Sequence, residues 1–348
     1  MKKLLTIMSL AFVGFTFGQE EEPKFNVTGS VDAYFRANLT SGNTGDANTV
    51  LGTGDYSIFN NDSGFSAGLA NVTLSYEGET VGFIADLAYG PRMDAWNSGE
   101  VVNEAYMYWN ASDKVKLMMG RFNSWMGYER LSAANNFHYS MSHMYSYSAR
   151  NFNGLVAQFD LGTDLRAGVG VMNQVNDLDG NTGKFSVAAG LTYKETTSVS
   201  FASSDEQSFI DFKTAFDVSD NFNVKLNAHI ANFGDDMFGY LPSVSAIVGS
   251  DVYLGESFTS ISAYPQIKSS DNMSWGMRLE YMMIDDKGAF ADGLNVFTPT
   301  LTARYSVGDL TIIPELRLDS ASEDVFNDND GEATGGLTAF NLAMVYTF

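Results

Sequence analysis

The chain predicts an all-β fold: a transmembrane antiparallel up-and-down β-barrel of about sixteen strands, with short periplasmic turns, long extracellular loops and one inward-folded loop. Three observations carry that expectation: an export leader at the start, two-residue alternation of apolar and polar positions along the body, and a last strand ending in Phe348. In that strand Phe340, Leu342, Met344, Tyr346 and Phe348 share one face, while Asn341 and Thr347 lie on the other. Successive strand residues point to opposite faces, so the first set offers lipid an unbroken apolar stripe.

The leader comes first. Lys2 and Lys3 precede an apolar run from Leu4 to Phe17, and small Thr16 and Gly18 stand before Gln19-Glu-Glu-Glu22. This is the pattern of a Sec signal peptide over residues 1–18; its apolar run of about fourteen residues is short of the roughly twenty that a spanning helix needs. Residues 19–348 are then expected to form one outer-membrane channel domain, since no linker and no repeat beyond a hairpin rhythm marks a second. Losing the leader removes Lys2 and Lys3 and takes the formal charge from −22 to −24. Such acidity repels phosphate and argues against nucleic acid as a partner. With no Cys and three His, transition-metal ligands are few, and no metal or other cofactor is expected. Hydrophobic residues make up 45% of the chain, yet no later segment is apolar enough to span as a helix, so that content must be dispersed by alternation.

The strands follow in order. Phe25, Val27, Val31, Ala33, Phe35, Ala37 and Leu39 alternate with Asn26, Thr28, Ser30, Asp32, Arg36 and Asn38. The same split recurs over 81–89, 165–171, 185–193, 222–230, 273–283, 310–318 and the last strand. Across these eight segments the inward set carries Asp32, Arg36, Asp86, Arg166, Lys225, Arg278, Glu280, Glu315 and Arg317, and the outward set carries no charge. A lysine or arginine at bilayer depth costs roughly 2–4 kcal/mol, which explains the strictness. Less regular strands are expected over 64–76, 101–110, 115–121, 154–161, 198–203, 208–218, 257–267 and 295–306. Short connections near 77–80, 111–114, 162–164, 194–197, 219–221, 268–272 and 307–309 alternate with longer ones, which puts both termini on the periplasmic side. Pro265, Pro299 and Pro314 fall inside strands, where each removes a ladder donor, and fourteen or eighteen strands remain open as alternatives.

A barrel of this size is too wide for its wall side chains to fill, so it holds water unless something folds inward. The candidate is the longest inter-strand stretch, 122–153, with Trp125, Tyr128, Phe137, Tyr139, Tyr145, Tyr147 and Phe152 among Asn, Ser and Met. It is too aromatic for a disordered loop and reads either as a constriction or as a surface lid or subunit contact. Glu129 on it reads as a lone carboxylate that would favour cations. Asn123, Trp125, Tyr128, Glu129 and Tyr139 of this stretch, with Arg36, Arg166, Arg278, Arg304 and Arg317 of the wall, are the candidate pore residues. Trp125, Tyr128 and Tyr139 would form a stacking slide for sugars or simply pack. On the wall, Lys116, Lys213 and Lys225 join those arginines against Asp32, Asp86, Glu104, Asp211, Asp217, Glu280 and Glu315. That balance reads either as a transverse field acting on solutes or as ion pairs that stiffen the wall.

The segment Gly120-Arg-Phe-Asn-Ser-Trp-Met-Gly-Tyr-Glu129, with Asn136-Phe-His-Tyr-Ser140 and Tyr145-Ser-Tyr147, resembles the signature region of the beta-barrel porins of the OmpL-like type. The leader, the Asn110-Ala-Ser-Asp-Lys-Val115 turn and the terminal Phe348 extend the likeness over nearly the whole chain. The resemblance implies an outer-membrane channel of Gram-negative bacteria, without catalytic residues, and by position points to Gly120, Asn123, Gly127, Glu129 and Ser140. Expected partners are outer-membrane lipid and lipopolysaccharide, small polar solutes, and the barrel-assembly machinery acting on the Phe348 strand; a homo-oligomer stays open.

Two other features of the sequence invite different readings. The 176–181 and 327–332 stretches, Asn-Asp-Leu-Asp-Gly-Asn and Asn-Asp-Asn-Asp-Gly-Glu, have the oxygen-rich look of calcium loops, but neither completes the pattern, and solvated turns account for both. His138 near Ser140, or His143 near Ser142, suggests a hydrolase dyad, yet no Gly-x-Ser-x-Gly turn is present. The expected function is passive diffusion of small hydrophilic solutes, with a non-conducting structural or adhesion barrel as the alternative and a hydrolase behind both.

Overall fold

The computed structural model describes residues 24–43, 63–97, 100–175, 182–234, 238–240 and 252–348, so the leader and the 176–181 stretch lie outside it. Sixteen antiparallel strands close into one barrel, each bonded to its neighbours in chain order. The first eight are β1 (Lys24–Asn38), β2 (Gly64–Glu77), β3 (Val81–Tyr89), β4 (Val102–Ser112), β5 (Val115–Asn123), β6 (Asn151–Asp160), β7 (Leu165–Asn173) and β8 (Phe185–Tyr193). The rest are β9 (Thr197–Ser203), β10 (Ser208–Ser219), β11 (Phe222–Asn232), β12 (Ser257–Lys268), β13 (Met273–Ile284), β14 (Leu294–Val307), β15 (Leu310–Ala321) and β16 (Gly336–Thr347). Two small hairpins, Phe238–Tyr240 with Tyr253–Gly255 and Phe326–Asn327 with Ala333–Thr334, rise from the long connections.

Closure is made between β1 and β16, with Ser30 opposite Thr347 and Asn38 opposite Ala339. Gly29 and Phe348 extend this ladder by exchanging both backbone hydrogen bonds, at 3.0 and 3.1 Å. The Phe348 ring lies over Gly29, where an added Cβ would stand 2.6 Å from Cζ, so a residue without a side chain seats the terminal aromatic.

Alternation sorts the faces as the sequence predicts. Val27, Val31, Val169, Ile261, Leu301 and Met344 are exposed on the outer surface, and the inward charges Asp32, Asp86, Arg278, Glu280, Glu315 and Arg317 are buried. Ile261, 54% exposed on β12, is a clean probe of the lipid contact. Ile261→Arg should destabilise the folded barrel by about 2–4 kcal/mol in lipid vesicles, read by reversible denaturant unfolding, whereas an unchanged midpoint would show that this face does not meet hydrocarbon.

The three prolines are accommodated by local gaps. Pro265 pairs with Val224 of β11, but the β12–β13 ladder skips from Ala263 to Gln266. Pro299 pairs with Leu279 of β13 and Pro314 with Leu342 of β16, while the β14–β15 ladder between them is interrupted beside each. A missing N–H is thus confined to one neighbour, and the strand survives on the other.

Candidate functional site

After β5 the chain turns inside. Residues 124–150 cross the lumen from β5 and meet β1, β10, β13, β14 and β15 before returning to β6, carrying a 3-10 turn, Ala133–Asn135, and the short helix α1, His143–Tyr147. Nearly every side chain in the segment is buried, and each of the sixteen strands contributes inward residues that are buried or nearly so.

Carboxylates on the wall hold this loop through its own backbone. Glu315 accepts the Tyr139 N–H at 2.8 Å and the Ser140 N–H at 3.1 Å. Glu280 accepts the His143 and Met144 N–H groups at 2.9 and 2.8 Å, the first free donors of α1. Between these grips Glu129, on the loop itself, accepts the Ser142 N–H at 2.9 Å and the Ser142 hydroxyl. Charge-assisted bonds of this type are each worth about 1.5–3 kcal/mol where water is excluded.

Two arginines complete the frame. Arg278, fully buried, donates to Glu129 Oε1 and to the Ser140 carbonyl, both at 2.7 Å, and reaches Thr300 at 3.2 Å. Arg317 is fixed by Asp319 and donates to the Met141 carbonyl at 2.6 Å, and the same Asp319 meets His143 Nε2 at 2.8 Å. Facing β1, the Tyr139 hydroxyl donates to Asp32 at 2.6 Å, and Ser132 and Ser30 stand 3.0 Å apart through their hydroxyls. Gly68 of β2 makes room for the first of these contacts: a Cβ there would stand 1.9 Å from the Asp32 carboxylate and 2.5 Å from the Tyr139 hydroxyl.

This geometry revises several expectations about single residues. Glu129 is buried in an ion pair with Arg278, so the lone-carboxylate role gives way to an anchoring one. Tyr139 is wholly enclosed beneath Arg92, 4.6 Å over its ring, and Trp125 stacks on Phe122 at 6.2 Å and lies tilted against Phe152 at 4.9 Å, so both rings pack and leave no open stacking slide. Tyr128 stays half-buried, edge-on to Tyr264 and flanked by Lys213 and Lys225 at 5.5 and 5.4 Å. Asn123 sits at the end of β5, where its N–H donates to Glu104, outside the loop's crossing. Arg166 lies at the periplasmic rim, ion-paired with Glu195 at 2.7 Å, while Arg36 donates to Asn38 on its own strand. Arg304 donates to the carbonyls of Asn136 and Phe137 at 2.5 and 3.2 Å, and Phe137 lies on Gly276, whose absent side chain leaves the space.

The suggested dyads are otherwise engaged. Ser142 is bound to Glu129 and caps α1, His143 is bound to Asp319, and His138 Nδ1 meets Thr302 at 2.7 Å. Burial, helped by Arg278 and Arg304, pushes the His138 imidazole well below its ordinary pKa. Asp328 of the 327–332 stretch accepts the Asp330 and Glu332 N–H groups and so closes its own turn. Among the described residues no three His, Cys, Asp or Glu groups gather as a metal set.

Other wall charges lie outside the ion pairs of Arg278 and Arg317. Asp86 on β3 is held by Asn71, Thr73 and Asn103, all uncharged donors, and Glu104 lies next to it on β4. Lys116, Lys213, Lys225 and Arg304 stand on β5, β10, β11 and β14. Of the charges on the wall, Arg278 and Arg317 form ion pairs, as the stiffening reading expects.

Similar architecture occurs in solved outer-membrane proteins. The outer membrane channel DcaP of Acinetobacter baumannii superposes with a TM-score of 0.60 at 14% identity, covering 95% of this chain and 99% of that one. An anion-selective porin from Comamonas acidovorans gives 0.59 at 11% identity, covering 94% and 100%. OmpF of Salmonella typhi, solved with daunomycin, gives 0.57 at 11% identity, covering 93% and 97%. At these identities the likeness is one of fold. No curated protein sequence matches significantly. The model of the family described as "Putative beta-barrel porin-2, OmpL-like" matches residues 24–348, from the first barrel strand through Phe348, and with that match the chain belongs to this family of outer-membrane porins.

Proposed function

We propose that the protein admits small hydrophilic solutes by passive diffusion, that loop 122–153 is the constriction, and that solutes larger than hydrated ions pass when the loop shifts from its anchors. The observation that carries this reading is the pairing of a charged inner wall with a loop that is tied to it by charge-assisted polar bonds, which can be exchanged for water, beside the apolar contacts of Met126, Met144 and Phe152. The residues proposed as pore-forming are Lys213, Lys225, Tyr128 and Arg304 on one side and Asp86 with Glu104 on the other. No catalytic role is proposed, since the serines and histidines of the loop serve its anchoring. Lipopolysaccharide and the assembly machinery remain the proposed partners of the outer face and the Phe348 strand.

Burial around the whole inner circumference favours a second reading, a non-conducting structural barrel. Planar-bilayer recording separates the two. Stepwise conductance smaller than that of an unobstructed barrel of the same strand number is expected, and a silent bilayer from protein that still shows heat-modifiable migration would move the assignment to the structural class.

A further inference from the structure

Beneath the loop, towards the periplasmic mouth, one group of side chains is used only in part by the anchoring network. Lys225 on β11 and Tyr264 on β12 are cross-strand partners with both side chains inward. Tyr128 from the loop packs edge-on against Tyr264 at 5.9 Å, and the Lys225 ammonium lies 5.4 Å over the Tyr128 ring. His138 follows at 6.1 Å from Tyr264, with Arg304 on the next wall strand but one, its guanidinium 5.9 Å over the ring of neighbouring Phe137.

The hydroxyls of Tyr128 and Tyr264 donate to no partner among the described residues, although Ser262 stands beside the second. Leaving buried donors unused costs about 1–3 kcal/mol each, so two in one cluster beside two cations mark a place where something polar is received. Neither Lys225 nor Arg304 has a carboxylate partner among the described residues; the cations touch a ring and two carbonyls. The carboxylates around the cluster are already engaged: Glu129 by Arg278, Glu280 by the α1 N–H groups, and Asp211 by Gly127, Asn227 and His229. Lys225, Tyr128 and Arg304 are half-buried, so the cluster meets solvent while Tyr264 and His138 form its floor.

From this geometry we infer a binding site for a small oxyanion, of carboxylate or phosphate chemistry, between Lys225, Arg304 and the hydroxyls of Tyr128 and Tyr264. The two hydroxyls and the ammonium supply donors, and Arg304 adds charge at the rim. His138 belongs to the floor, bound to Thr302 through Nδ1 and to the Met277 backbone.

The site deepens the solute-passage reading, and its test does not need conduction. Full-length protein in detergent micelles is titrated calorimetrically with inorganic phosphate and, separately, with acetate, for wild type, Tyr264→Phe and Lys225→Met. Wild type should bind both anions, and each substitution should weaken phosphate about tenfold or more. Thermal unfolding without anion should be nearly unchanged in Tyr264→Phe, because the hydroxyl removed donates to nothing, an outcome that a structural role for that hydroxyl would reverse. No measurable phosphate binding by wild type, or equal binding by all three proteins, overturns the site. Binding as expected from a protein silent in bilayers would sink the passage reading and keep the site.

Discussion

Arg278→Ala opens the barrel. The substitution removes a fully buried guanidinium that joins Glu129, the Ser140 carbonyl and Thr300, and it leaves Glu129 enclosed without its cation. Breaking one side of a buried pair costs about 3–5 kcal/mol. The barrel wall loses little of its own, because β13 keeps its ladders to β12 and β14, so the cost falls on the seating of the loop. Single-channel conductance should rise several-fold, with larger fluctuations, while heat-modifiable migration persists. Conductance equal to wild type from a folded variant would show that the loop does not gate the lumen. Arg278→Met is the milder companion, since it fills the volume but still strands Glu129, and it should lie between wild type and Arg278→Ala.

Locking the loop has the opposite effect. The chain contains no cysteine, so a pair introduced by Ser30→Cys and Ser132→Cys is free of competing thiols. The two hydroxyl oxygens are 3.0 Å apart on β1 and on the loop, and a disulfide requires sulfurs at about 2 Å, an approach that a modest adjustment supplies. Oxidation should lower conductance at least about tenfold, as expected when the open arrangement is withheld by more than 1.4 kcal/mol, and a reductant should restore it. Indifference to the crosslink would mean that solutes pass beside a stationary loop, and the proposed displacement would be withdrawn.

The barrel was legible in the sequence because lipid is an uncompromising solvent. A charge on the outer face is costly wherever it falls, so the two-residue pattern survives from Phe25 to Phe348 and gives strand number, turns and orientation. Pro265, Pro299 and Pro314 misled only about regularity, since each needs just one gapped ladder. The inward course of 122–153 was legible from its length and aromatic content. What its residues do there was not. Glu129 looked alone because nothing local announces Arg278, which lies 149 positions away on β13. Glu280 and Glu315 were visible as inward acids, but their partners are loop N–H groups, which every residue except proline possesses and which no side-chain pattern records. Gly68 and Gly276 carry information only as spaces, and a space is defined by Tyr139 or Phe137 arriving from a distant part of the chain.

The seam between β1 and β16 sets an order of events. Because the first and last strands of the barrel are each other's neighbours, no cylinder exists until the segment ending in Phe348 has arrived, and every earlier species carries two rows of unpaired amides and carbonyls. Such edges recruit whatever strand is nearest, another copy included. Phe348 settling over Gly29 pairs both rows at once, and so removes a hazard written into the connectivity itself.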